Sequence, residues 1–288
     1  ADTATTPGHN AFDAFRAEFP SVWRGIADKP LFLGLLVAWL AFISIPISLG
    51  EIGISWDALN HHIYLGWTAE KPRFDRDFVA AGYQSYQFPY LYWPVYKLAT
   101  TGWSGVSAGI VLATLHLIAV PPVWMLARVC MPGTTAFDAA MRMVAVGLAF
   151  STAVVLSLFD SSSNDLMAAA PLVWALALGM EPLRKDRSAW LTSTRSVLLS
   201  GMFSGVAVAF KLSNGPLAVM LPAVWLFSAE RIPDRLRLVV VGSAATLLGF
   251  VITYGYWGAL LWSHFGNPVY PFYEHLFAPL RSLAGWQP

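Results

Sequence analysis

Only one cysteine, Cys130, occurs in 288 residues, so no internal disulfide can brace the fold. It reads as a small apolar core residue. Charge is equally scarce: Asp, Glu, Lys and Arg make up 12% of the chain, about half the share usual in a soluble domain. Eighteen basic residues against seventeen acidic ones leave a net charge of +1. That balance excludes a global field for nucleic acid or any other polyanion. The chain also lacks internal repeats, low-complexity tracts and the composition of a second, soluble domain. Residues 1–30 are polar, so no cleavable signal peptide is expected. What the chain does have is hydrophobicity, with 56% hydrophobic residues and a mean hydropathy of +0.55. Its thirteen tryptophans and ten tyrosines suit a protein with two wet interfaces, where amphipathic rings settle. The fold class expected is all-α, a polytopic integral membrane bundle.

A membrane span takes about 20 mostly apolar residues. Seven stretches approach that length: 31–49, 105–127, 142–159, 165–181, 197–213, 215–229 and 238–262. The fourth, fifth and sixth are short, and Pro171, Pro216 and Pro222 interrupt or bound them, so they are expected to tilt, kink or stop partway. Lysine and arginine placement sets the orientation. With the N-terminus in the cytoplasm, Arg16, Arg24, Lys29, Arg128, Arg142, Arg184, Lys185, Arg187, Arg195, Arg231, Arg235 and Arg237 all fall inside, twelve of the eighteen basic residues. The outer face, in a bacterium the periplasmic face of the inner membrane, then carries 50–104, 160–164, a turn near 214, and 263–288. Three parts result: a cytoplasmic segment 1–30, whose Phe and Trp spacing predicts an amphipathic surface helix; a membrane module 31–262; and an aromatic, Pro-rich segment 263–288 with no closing helix expected, open to truncation.

Most of the candidate chemistry lies in the loop 50–104, with five acidic residues and two adjacent histidines. In SWDALNHHIYLGW, the spacing of Trp56, Leu59, Ile63, Tyr64 and Trp67 predicts a short amphipathic helix on the outer interface. Asp57, Asn60 and His61 share one face of it. A carboxylate there suits a general base acting beside a lipid-anchored substrate, while a helix cap is an equally good reading. Asp75 and Asp77, in RFDRDF, have a spacing that can hold Mg²⁺ or Mn²⁺, but Arg73 and Arg76 make ion pairing the better reading. His61 and His62, being adjacent, should point in different directions on a helix, and a zinc site would need a distant partner such as His264. Asp160, Asn164 and Asp165 form a second outer cluster at a serine-rich turn. Lys211 ends an apolar span. It either snorkels or, with Asn214, binds the phosphate of a lipid-linked donor. Asp57 and Lys211 are expected to face one cavity.

These segments, WDALNHHIYLGW, DFVAAGYQSYQFPYLYWPVY, SNDL, FKLSN and GNPVYPFY, resemble the polytopic glycosyltransferases of the GT-C superfamily. The resemblance implies a seven-span module, a sugar taken from a polyprenyl-phosphate carrier at the outer leaflet, and inverting transfer with Asp57 as base. No cofactor is required by it, a divalent cation being optional. Asp165, Asp160, Asp77 and His61 would serve the acceptor. Two rival readings remain: a non-catalytic scaffold that binds other integral membrane subunits, and, less favoured, a transporter, whose charges would lie near the midplane.

Overall fold

The computed structural model describes residues 29–53 and 55–286, so the amphipathic helix expected before Lys29 lies outside the described residues. Five helical rods are long and apolar enough to cross a bilayer, which marks an integral membrane protein. The first is α1 (Lys29–Leu49). After it come a π-helical turn Ala58–His62 that runs into α2 (Ile63–Thr68), the extended segment Ala80–Tyr83, and α3 (Trp93–Thr100). The second rod is composite. It joins α4 (Gly105–Leu115), a 3₁₀ turn at His116–Ala119 and α5 (Val120–Cys130). Pro121 and Pro122 lack the N–H that would continue the ladder, and the helix tightens just ahead of them.

Two of the seven expected spans are short. The stretch 142–159 becomes α6 (Ala136–Phe150) and α7 (Ala153–Leu158), because the chain breaks at Ser151 and the Thr152 hydroxyl caps a new start by accepting from the Val155 N–H at 3.3 Å. The stretch 215–229 keeps only the eleven residues of α10 (Gly215–Trp225). That helix rises about 16 Å, roughly half the hydrocarbon thickness. The remaining rods are α8 (Asp165–Met180) with its 3₁₀ extension Glu181–Leu183, α9 (Ser193–Phe210) and the 34-residue α11 (Ile232–Phe265).

α9 is the spine of the second half, packed between α8 and α11. Its buried serines and glycines allow this. Ser200 donates to the Ala175 carbonyl on α8 at 2.5 Å and accepts from Trp225 Nε1 at 2.9 Å. On the α11 side, a Cβ at Gly205 would collide with the Thr246 carbonyl, and one at Gly249 with the Met202 carbonyl. Small residues let two helix backbones meet where apolar burial gives little driving force in lipid.

The contacts sort the helix ends into two groups. At one end Arg128 reaches Asp186 (3.3 Å), Arg184 reaches the buried Glu181 (2.7 Å), and Ser228 donates to the Gly179 carbonyl (3.4 Å). At the other, Gly53 meets Asp160 and Lys211 meets Asp165. The loop 50–104 folds over this second end, tied to α11 by Trp257 Nε1, which donates to the Tyr86 carbonyl at 3.0 Å.

Two smaller expectations are corrected. Cys130 is exposed, because it is the last residue of α5 and has outrun its packing neighbours. A closing helix does exist: α12 (Glu274–Leu283) follows a turn held by the fully buried Asn267, whose amide donates to the Phe272 carbonyl (2.9 Å) and to Glu274 (3.0 Å).

Candidate functional site

The turn Ala58–His62 begins where Ser55 Oγ accepts the Ala58 N–H at 3.1 Å. Its π geometry has a consequence for the histidines. Adjacent residues advance by a smaller angle than in an α-helix, so His61 and His62 both face inward, 4% and 5% exposed, with ring centroids 4.4 Å apart. The expectation that they diverge assumed an α-helix. Trp56 and Leu59, on the other side, are exposed. Asn60 leaves the face assigned to it and donates to Gln84 at 3.2 Å.

His62 anchors the turn to the segment before α8: its Nδ1 lies 2.7 Å from Ser162 Oγ, and its ring stacks on Tyr92 at 4.9 Å. Tyr92 is buried, which pushes its hydroxyl up to about 12, and it is hydrogen-bonded to Asn164. Burial is also what lowers both histidines, His62 to about 4, so at neutral pH these rings are uncharged. His61 Nδ1 is buried with no hydrogen-bond partner, and the nearest carboxylate, Asp57, is 3.7 Å away. The fields of Asp57 and Lys211 both act on His61, and those of Asp57, Asp165 and Lys211 on His62. Four segments of the chain, at 57–62, 92, 162–165 and 211, thus converge on one spot at one end of the bundle.

Lys211 is ion-paired with Asp165, which also accepts from Ser163 Oγ at 3.1 Å. Beside Lys211 opens a cavity of about 370 Å³, walled by Tyr86, Phe88, Phe210, Tyr254, Phe272 and Tyr273. Asp57 does not line it. The Asp57 side chain is 54% exposed and, among the described residues, is paired with no cation beyond the neutral His61.

The other candidates have different duties. Asn214 spends both amide hydrogens on backbone carbonyls, Ala168 at 3.0 Å and Ala207 at 2.9 Å, so it holds the α9–α10 turn and has no donor left for a phosphate. Asp160 accepts the Gly53 N–H at 3.0 Å and fastens the start of the loop 50–104 to the segment before α8. Asp77 is gripped by Arg73 through two nitrogens at 2.8 and 3.0 Å, and Asp75 lies 3.5 Å from Arg76. Both carboxylates of the RFDRDF motif are therefore ion-paired, and among the described residues no three His, Cys, Asp or Glu side chains come together as a metal site. His264 packs on Phe74 instead, at 5.2 Å. Sequence reasoning placed Asn164 in a polar cluster but missed Tyr92 and Ser162. Their signal was slight, since a tyrosine in an aromatic-rich loop and polar residues in a serine turn are common.

No protein-family model, curated protein or solved structure matches the chain.

Proposed function

We propose that this chain is a glycosyltransferase-like membrane protein that takes a sugar from a polyprenyl-phosphate donor. In this reading the chain crosses the bilayer seven times, α6–α7 and α10 supplying the two shorter crossings. The N-terminus is cytoplasmic, and the site faces the outside of a bacterial inner membrane. One observation carries the proposal: the carboxylate of Asp57 and the cation of Lys211 both act on the buried His61, and Lys211 lines an aromatic cavity. A phosphate-bearing lipid with a hydroxyl acceptor makes use of both, the acid as proton acceptor and the cation as phosphate partner.

The chemistry is a direct displacement. The acceptor O–H gives its proton to Asp57 as its oxygen bonds to the anomeric carbon. The anomeric C–O bond to phosphate breaks on the opposite face, and its electron pair leaves on the polyprenyl phosphate, which Lys211 neutralises. To do so Lys211 must turn from Asp165, so the resting ion pair holds the cation in place until the donor arrives. The neutral His61 and His62 add no competing charge. Asp165 and Asp77 are ion-paired at rest, with Lys211 and Arg73.

The test is release of free polyprenyl phosphate by purified protein given a panel of polyprenyl-phosphate hexoses, run beside a native-mass measurement. Release supports the transferase. No release, together with stable membrane partners in the native mass, favours the scaffold reading.

A further inference from the structure

The opposite end of the bundle holds a second cavity that the proposed chemistry does not use. It has a volume of about 590 Å³ and opens between the loop after α8, the start of α9 and the start of α11. Arg187, Arg235 and Arg237 line it, along with Ser193 and the carboxylates of Glu230 and Asp234. Two of the arginines are held by backbone oxygens at their rear: Arg187 donates to the Pro182 carbonyl at 2.8 Å, and Arg235 to the Ala229 carbonyl at 2.9 Å. Each keeps further N–H groups free for a ligand. Arg237 has no partner among the described residues. Three cations against two anions leave the wall at +1. A wall so charged is balanced by a ligand carrying one negative charge, with hydroxyls to donate to the two carboxylates.

We infer that this cavity binds the headgroup of an anionic phospholipid whose phosphate carries a hydroxylated substituent, of the phosphatidylglycerol kind. A guanidinium fork matches phosphate oxygens better than an ammonium does, and basic pockets between membrane helices are suited to anionic headgroups. The lipid source is favoured over a free anion by what surrounds the cavity. Phe227 lines it and is 69% exposed, and Ile232 and Leu236 on the first turns of α11 are exposed beside it. A free phosphate has no use for these apolar surfaces, while acyl chains do. The inference needs only that the chain is membrane-embedded and is independent of the transferase reading.

Native mass spectrometry of the purified full chain tests it, with titrations of dioleoyl phosphatidylglycerol, dioleoyl phosphatidylethanolamine and sodium phosphate. Phosphatidylglycerol is expected to be retained about tenfold better than phosphatidylethanolamine, and Arg237→Gln with Arg187→Gln to erase that preference. Arg231→Gln removes one positive charge at the same end but from outside the cavity, and should leave the preference intact. Three results would overturn the inference: equal retention of the two lipids, an Arg231→Gln loss as large as that of the cavity variants, or full displacement of the lipid by sodium phosphate at matched concentration.

Discussion

His62 and Ser162, one hundred positions apart, meet through a 2.7 Å contact between Nδ1 and Oγ. That contact fastens the helical turn bearing Asp57 to the segment bearing Asp165, and burial favours an uncharged His62 inside the fold. In the fold the ring titrates near 4, against 6.5 when free. Above pH 6.5 both states are neutral and nothing is lost. As the pH falls from 6.5 towards 4 the unfolded chain takes up the proton first, so stability drops across that window. A shift of this size carries up to about 3 kcal/mol. The melting temperature in detergent should fall between pH 7 and pH 4.5, and His62→Gln should flatten that fall. An unchanged pH profile in the variant would place the sensitivity elsewhere.

In the proposed mechanism Lys211, ion-paired with Asp165 at rest, turns to the incoming phosphate. Lys211→Ala should therefore weaken binding of a polyprenyl monophosphate by about tenfold or more, the worth of one charge-assisted hydrogen bond. Asp165→Asn removes the competitor, so affinity should hold or rise. Equilibrium binding to the two variants decides this, and a parallel loss in both would show that Asp165 itself holds the ligand.

The bond from Trp257 to the Tyr86 carbonyl ties the loop 50–104 to α11. Trp257→Phe keeps the ring packing but leaves that buried carbonyl without its donor, at a cost of about 1–3 kcal/mol. Faster proteolysis between residues 70 and 90 is the expected readout, with the bundle itself intact.

Gly205 and Gly249 bring the α9 and α11 backbones together. Gly205→Val drives a side chain into the Thr246 carbonyl and should cost about 3 kcal/mol or more, as overpacking at an unyielding contact does. Loss of folded protein on size-exclusion chromatography is the measure. Gly255→Val, at a site where a Cβ meets only a valine methyl at 3.8 Å, is the control expected to fold.

The helical class was legible because apolar runs such as 31–49 and 238–262 leave no other reading, and both are rods in the structure. The shortness of 142–159 was less legible. Its apolar content continues past Ser151, and only the capping chemistry of Thr152 breaks the helix. In the site, ion pairing of Asp75 and Asp77 was legible from the neighbouring Arg73 and Arg76, whereas the inward turn of both histidines was not. A π turn has no signature in a single sequence, and it is this turn that decides which side chains surround Asp57. Asn214 shows a different limit: its residue type suited a phosphate, but a carbonyl on α8, 46 positions away, takes one of its donors.

Sugar transfer by the Asp57→Asn protein is the most direct test of the account. In proteoliposomes supplied with a polyprenyl-phosphate hexose, the wild type should release polyprenyl phosphate. The variant should release it at least about a hundredfold more slowly while binding the donor as well as before, since removing a general base spares ground-state contacts. Unchanged release by Asp57→Asn would contradict the account.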